Sequence, residues 1–131
     1  MITEDYVSFE TAKLLKEKGF DAECDYLYVD GELVRAHGCA RNWNKGETLF
    51  TDYKNECSAP TLQMAMKWLR EKDWVICILP LTFYCGEKAS SWGYNIWAGD
   101  NLEVDEENTP KFTTYEEASE SAIRYCLENL I

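Results

Sequence analysis

The sequence predicts an α+β fold. It consists of a single antiparallel sheet of four to five strands with about three helices, packed mainly on one face, in the order α-β-β-(β)-α-β-β-α. Three observations lead there. Helix-periodic stretches near 9–18, 60–72 and 115–130 alternate with strand-like stretches near 26–36 and 74–97. An Asp30-Gly31 pair joins two short β-prone runs and is the strongest local turn signal in the chain. The 131 residues are 46% hydrophobic and include 5 Trp, 8 Tyr and 5 Phe, enough to bury one core as a single globular domain, 1–131.

The first helix is expected over about 9–18. Ser8 is a good N-cap, and Phe9, Ala12 and Leu15 recur on one face. Gly19 suits the left-handed position after the last turn, with Phe20 folding back on Leu15. Tyr26-Leu27-Tyr28-Val29 and Leu33-Val34-Arg35-Ala36 then form a hairpin around a type I′ turn at Asp30-Gly31. Asn42, Asn44 and Gly46 suggest a turn, and Thr48 to Tyr53 alternates weakly as a third strand.

Pro60 suits the first turn of the second helix. Leu62, Ala65, Met66 and Leu69 make its buried stripe, with Met64 and Trp68 at the boundary. Trp74 to Leu79 is apolar at every position and reads as a central strand covered on both faces, bent at Pro80. Thr82-Phe83-Tyr84 and Trp92 to Trp97 form a second hairpin around 86–91. Gly99 to Pro110 is an acidic connection expected to be exposed and mobile. The last helix opens on the capping box Thr114-Tyr115-Glu116-Glu117. Its apolar stripe is Ala118, Ala122, Ile123, Cys126, Leu127 and Leu130.

Composition narrows the function. The net charge of −11 opposes direct nucleic-acid binding and anionic membrane surfaces, which need basic faces. The first residues lack the basic and apolar regions of a signal peptide, and no apolar run approaches the ~20 residues of a spanning helix. A cytoplasmic location is expected, with the six cysteines as reduced thiols.

No catalytic motif stands out. The phosphate-binding glycine motifs, G-x-S-x-G and H-E-x-x-H are absent from the sequence. The single histidine, His37, lies two residues from Cys39. A thiol–imidazole pair is conceivable on an extended backbone, although such pairs usually draw their histidine from elsewhere in the chain. Zinc lacks C-x₂-C spacing, and the acidic run 100–107 lacks the order of a calcium loop. No cofactor is expected. Arg35, His37, Arg41 and Lys45 form a local basic stretch that hairpin-end solvation explains equally well.

Aromatic side chains are the remaining lead. Tyr26 and Tyr28 share a strand face, and Trp43, Trp92, Tyr94 and Trp97 are expected on or near the same sheet. Exposed together, Trp92, Tyr94, Trp97, Tyr26 and Tyr28 would be a binding patch; buried, they are simply core.

Three stretches carry a resemblance. They are Asp5-Tyr6-Val7-Ser8-Phe9-Glu10 through Lys18-Gly19-Phe20, Ala59-Pro60-Thr61 through Lys67-Trp68-Leu69-Arg70-Glu71, and Tyr115-Glu116-Glu117-Ala118 through Leu127. Together they resemble the short hypothetical proteins of gut Bacteroides-type bacteria and their phages or prophages. The resemblance implies a bacterial cytoplasm and a mobile-element gene, and it transfers no catalytic or binding residue. The reading that follows is a non-enzymatic accessory protein that binds another protein, with self-association compatible. One alternative is an acidic decoy for a nucleic-acid-binding protein, since 100–128 holds a local −7 of the total −11. The other is a small enzyme using Cys39.

Overall fold

The computed structural model describes residues 2–36, 38, 40–45, 55–81 and 91–131. The chain divides into two compact units, Met1–Ala65 with Ile131, and Met66–Leu130. Among the described residues it is α+β with three α-helices, but the strands form two three-stranded antiparallel sheets rather than one sheet of four to five. The expected strand over 48–53 and the segment Thr82-Phe83-Tyr84 lie outside the described residues.

In the first unit, α1 (Phe9–Glu17) starts where the Ser8 hydroxyl accepts from the Thr11 N–H at 3.2 Å. It ends in a full Schellman motif. Phe20 N donates to Leu15 O at 2.9 Å, Gly19 N donates to Lys16 O at 3.2 Å, and Gly19 sits at φ +90°. Strands β1 (Tyr26–Val29) and β2 (Glu32–Arg35) pair across Asp30 and Gly31, both at positive φ as a type I′ turn requires.

A strand the periodicity did not reveal, β3 (Glu56–Ser58), joins the other edge of β1, giving the order β2-β1-β3. Three residues are too few to show an alternation. β3 is held from outside the ladder instead, where Ser58 N donates to the Asn44 side chain and the Ser58 hydroxyl accepts from Trp43 N. A 3₁₀ turn, Trp43–Lys45, supplies both groups, and the Trp43 indole donates to Cys24 O at 2.8 Å.

Helix α2 (Leu62–Arg70) carries the chain from the first unit into the second. Thr61 caps it by accepting from Met64 N, so Pro60 stands before the helix rather than in its first turn. The stripe Leu62, Ala65, Met66, Leu69 is buried as expected. Trp68 is buried too, its ring under the Lys72 ammonium at 4.7 Å, while Met64 is exposed.

In the second unit, β4 (Trp74–Pro80), β5 (Trp92–Ala98) and β6 (Asn101–Val104) form a sheet in the order β4-β5-β6. Two expectations are corrected here. Among the described residues β4 is an edge strand of this sheet, not a central one, and all seven of its residues are half-buried. Pro80 marks the reason. Leu81 N donates to Ser91 O and Gly99 N to Asp73 O, which puts the ladder bonds on odd-numbered residues. The missing N–H of Pro80 therefore falls on the outer side, where no partner strand among the described residues needs it.

The supposed mobile connection 99–110 is instead largely structured. Gly99-Asp100 is a two-residue turn with Gly99 at φ +59°. β6 follows, with a bulge opposite Ile96 and Trp97, and then a 3₁₀ turn, Glu106–Asn108, capped by Asp105.

Helix α3 (Tyr115–Tyr125) continues as a π-helical turn, Cys126–Leu130. Thr114 accepts from Glu117 N at 3.1 Å, and the Glu117 carboxylate returns to Thr113 rather than to the cap residue itself. Ala118, Ala122, Ile123, Cys126 and Leu127 are fully buried, as the stripe predicted, and Leu130 is half-buried. α3 packs on β5 and β4.

Candidate functional site

The five aromatic residues named from the sequence do not share one sheet. Tyr26 and Tyr28 stand on β1 of the first unit, and Trp92, Tyr94 and Trp97 on β5 of the second. Tyr26 lies 4.4 Å from the Tyr6 ring. Tyr28 meets Phe9 edge-on and donates its hydroxyl to Val7 O at 2.7 Å. Both are half-buried beneath the N-terminal segment and the start of α1.

On β5 the side chains alternate. Trp92 and Tyr94 point to one face, where Trp92 meets Tyr115 and Tyr94, 3% exposed, stacks on Phe112. Trp97 points to the other face, its indole donating to Asn95 Oδ1 at 3.1 Å. Asn95 in turn donates to the Glu106 carboxylate at 3.3 Å.

That second face is the larger feature. Cross-strand register sets Val75 beside Trp97, Cys77 beside Asn95 and Leu79 beside Gly93, with Leu102 beside Trp97 on the other flank. Leu81 lies over Gly93, within 2.7 Å of where a Cβ would stand. Val75, Cys77, Leu79, Leu81 and Trp97 are all half-buried, and Leu102 is 43% exposed. The sequence named Trp97 but not the β4 row and Leu102 beside it, because it took β4 as covered on both sides and 99–110 as loop. The signals available were Pro80 and the alternation Leu102, Val104 after a Gly-Asp turn.

Along the adjoining acidic segment, Asp100, Glu103, Asp105, Glu106 and Glu107 form no ion pair among the described residues. Asp105 Oδ1 accepts from Glu107 N at 3.0 Å, which fixes that carboxylate in place. Beside it lies a cavity of about 230 Å³ lined by Tyr94, Glu103, Val104, Asp105, Thr109 and Tyr125, among others. Burial pushes the Tyr94 phenol above its usual range, against the opposing effect of its hydrogen bond with Ser121.

A groove of about 410 Å³ in the first unit is lined by Phe9, Lys13, Lys16, Glu17, Glu56 and Cys57, among others. Its two ammonium groups are engaged, Lys13 with Glu10 at 3.2 Å and Lys16 with Glu56 O at 2.8 Å. Burial pushes the Cys57 thiol up to about 11, so it is neutral at physiological pH and a poor nucleophile. His37 and Cys39 lie outside the described residues. Among the described residues no group of three or more His, Cys, Asp or Glu side chains is placed to hold a metal ion. No helix among them is long and apolar enough to cross a membrane.

No family model, no curated protein and no solved structure matches the chain.

Proposed function

We propose that this chain is a non-enzymatic accessory protein that binds another protein, one with a basic surface, through its second unit. The bacterial or prophage setting implied by the resemblance belongs to the same proposal. The observation that carries it is one juxtaposition. A half-exposed apolar sheet face with Trp97 and Leu102 at its flank borders five carboxylates that lack ion pairs among the described residues. Exposed charge pairs contribute only about 0–1 kcal/mol each, whereas an anchored tryptophan can contribute about 2 kcal/mol or more at an interface. The carboxylates therefore select and steer a basic partner, and the apolar face supplies most of the affinity.

The test is affinity capture from a bacterial lysate with native mass spectrometry, comparing wild type with Trp97→Ala and Leu102→Glu variants whose folding is checked by circular dichroism. Capture of a basic protein that either variant abolishes supports the reading. A clean monomer that retains nothing at low salt, or capture that both variants leave unchanged, refutes it.

The acidic decoy is the second reading, favoured by the same carboxylates, which form no ion pair among the described residues. It requires that the captured partner lose nucleic-acid binding while in the complex. It also requires that Asp105→Asn, Glu106→Gln and Glu107→Gln together restore that binding. A partner that still binds nucleic acid in the complex would end this reading.

A further inference from the structure

The cavity between β6 and the end of α3 has a chemistry of its own. Tyr94 from β5 and Tyr125 from α3 both line it, and Val104 and Pro110 complete the apolar part. The charged groups lining it are both acidic, Glu103 and Asp105. Neither forms an ion pair among the described residues, and Arg124, one residue before Tyr125, is committed to Glu128 at 3.1 Å. The acidic wall is preorganised. Asp105 caps the turn 106–108, Asn108 N donates to Asp105 O at 2.9 Å, and the Thr109 hydroxyl donates to Glu106 O at 3.0 Å.

We propose that this cavity receives one arginine side chain of the basic partner, an inference that rests on the protein-binding reading above. A flat aromatic wall and a carboxylate wall in the same small recess match the two faces of a guanidinium. Its plane stacks on a ring, and its N–H fork donates to carboxylate oxygens. An ammonium group satisfies only the charge, so arginine is preferred over lysine. Tyr94 is 3% exposed and stacks on Phe112, so Tyr125, 37% exposed, supplies the ring face.

The experiment is a ¹⁵N–¹H NMR titration of the whole chain at low salt with the blocked peptide acetyl-Gly-Arg-Gly-amide. Its lysine counterpart and its neutral, isosteric citrulline counterpart are run beside it. Saturable shifts confined to amides of Glu103 to Thr109 and around Tyr125 are expected, weaker with lysine and absent with citrulline. Glu103→Gln with Asp105→Asn keeps the Asp105 cap and should weaken binding roughly tenfold or more, the scale of a lost charged hydrogen bond. Tyr125→Ala should weaken it severalfold. Glu32→Gln with Glu116→Gln removes the same charge elsewhere and should leave it near wild type. No saturable shift, equal binding of citrulline, or an equal loss in the charge-matched control overturns the proposal. Should the cavity fail while Trp97→Ala still abolishes partner capture, the protein-binding reading stands without it.

Discussion

Replacing Gly19 by alanine isolates one backbone effect. Gly19 holds φ +90° as the residue after the last turn of α1, and a Cβ built there meets nothing within 4 Å. The substitution therefore carries no steric clash with the rest of the fold, only the intrinsic cost of a left-handed backbone for an L-residue. That cost is about 1–2 kcal/mol. Alanine also restricts the unfolded chain, which returns about 0.4–1 kcal/mol. The net loss should be about 1 kcal/mol, which for a chain of 131 residues lowers Tm by roughly 3–4 °C. Urea unfolding followed by circular dichroism measures the free energy and differential scanning calorimetry the shift in Tm. Gly19→Asn should lose less, because asparagine tolerates this region better. Alanine equal to wild type would show that the Schellman geometry contributes nothing. A loss above about 3 kcal/mol would reveal a steric conflict that the open surroundings exclude.

Burial pushes the Cys24, Cys57 and Cys126 thiols up to about 12, 11 and 12 from an ordinary 9.0, so the unfolded chain releases these protons first. Stability from this source is complete below about pH 9 and falls as pH rises toward 11–12. Urea titrations at about pH 8 and about pH 10 should show the fall, with a shallower slope in Cys126→Ala, and a flat profile would refute the burial. Of the four free cysteines described, Cys77 is the half-exposed one and should be alkylated first, with Cys24, Cys57 and Cys126 protected until unfolding; mass-mapped labelling reads the order. Thr114→Ala removes the acceptor for Glu117 N and should cost about 1 kcal/mol, measured by urea unfolding, with Thr114→Ser close to neutral. Tyr28→Phe deletes the hydroxyl that donates to Val7 O and should cost about 1 kcal/mol, an outcome that unchanged unfolding would contradict.

The elements legible in the residues were those whose signals are local. Ser8, Gly19 and Phe20 bracket α1 because capping involves groups within a few residues of one another. Asp30-Gly31 made the first hairpin legible because a type I′ turn needs positive φ at two adjacent positions. The 3.6-residue stripes of α2 and α3 predicted their buried faces, Trp68 excepted. β3 and β6 were missed because strands of three or four residues carry almost no periodic signal, and the partners that hold them lie elsewhere in the chain. The same limit applied to the candidate site. Trp97 was named, but Glu103, Tyr125 and the apolar row on β4 were not, since their juxtaposition depends on which strand lies beside which.

The chain's own order of residues determined the helices, the Asp-Gly hairpin, the α+β class and the acidic balance, because each is written in neighbouring residues or in composition. Tertiary structure decided that the strands divide into two sheets, that β4 stands at an edge among the described residues, and that α3 covers the Trp92 and Tyr94 face of β5 rather than the Trp97 face. The physical reason is that strand pairing is a contract between distant segments. Each backbone N–H and C=O pairs with whichever segment the whole chain brings alongside, and a single residue's step along a strand reverses the face its side chain presents.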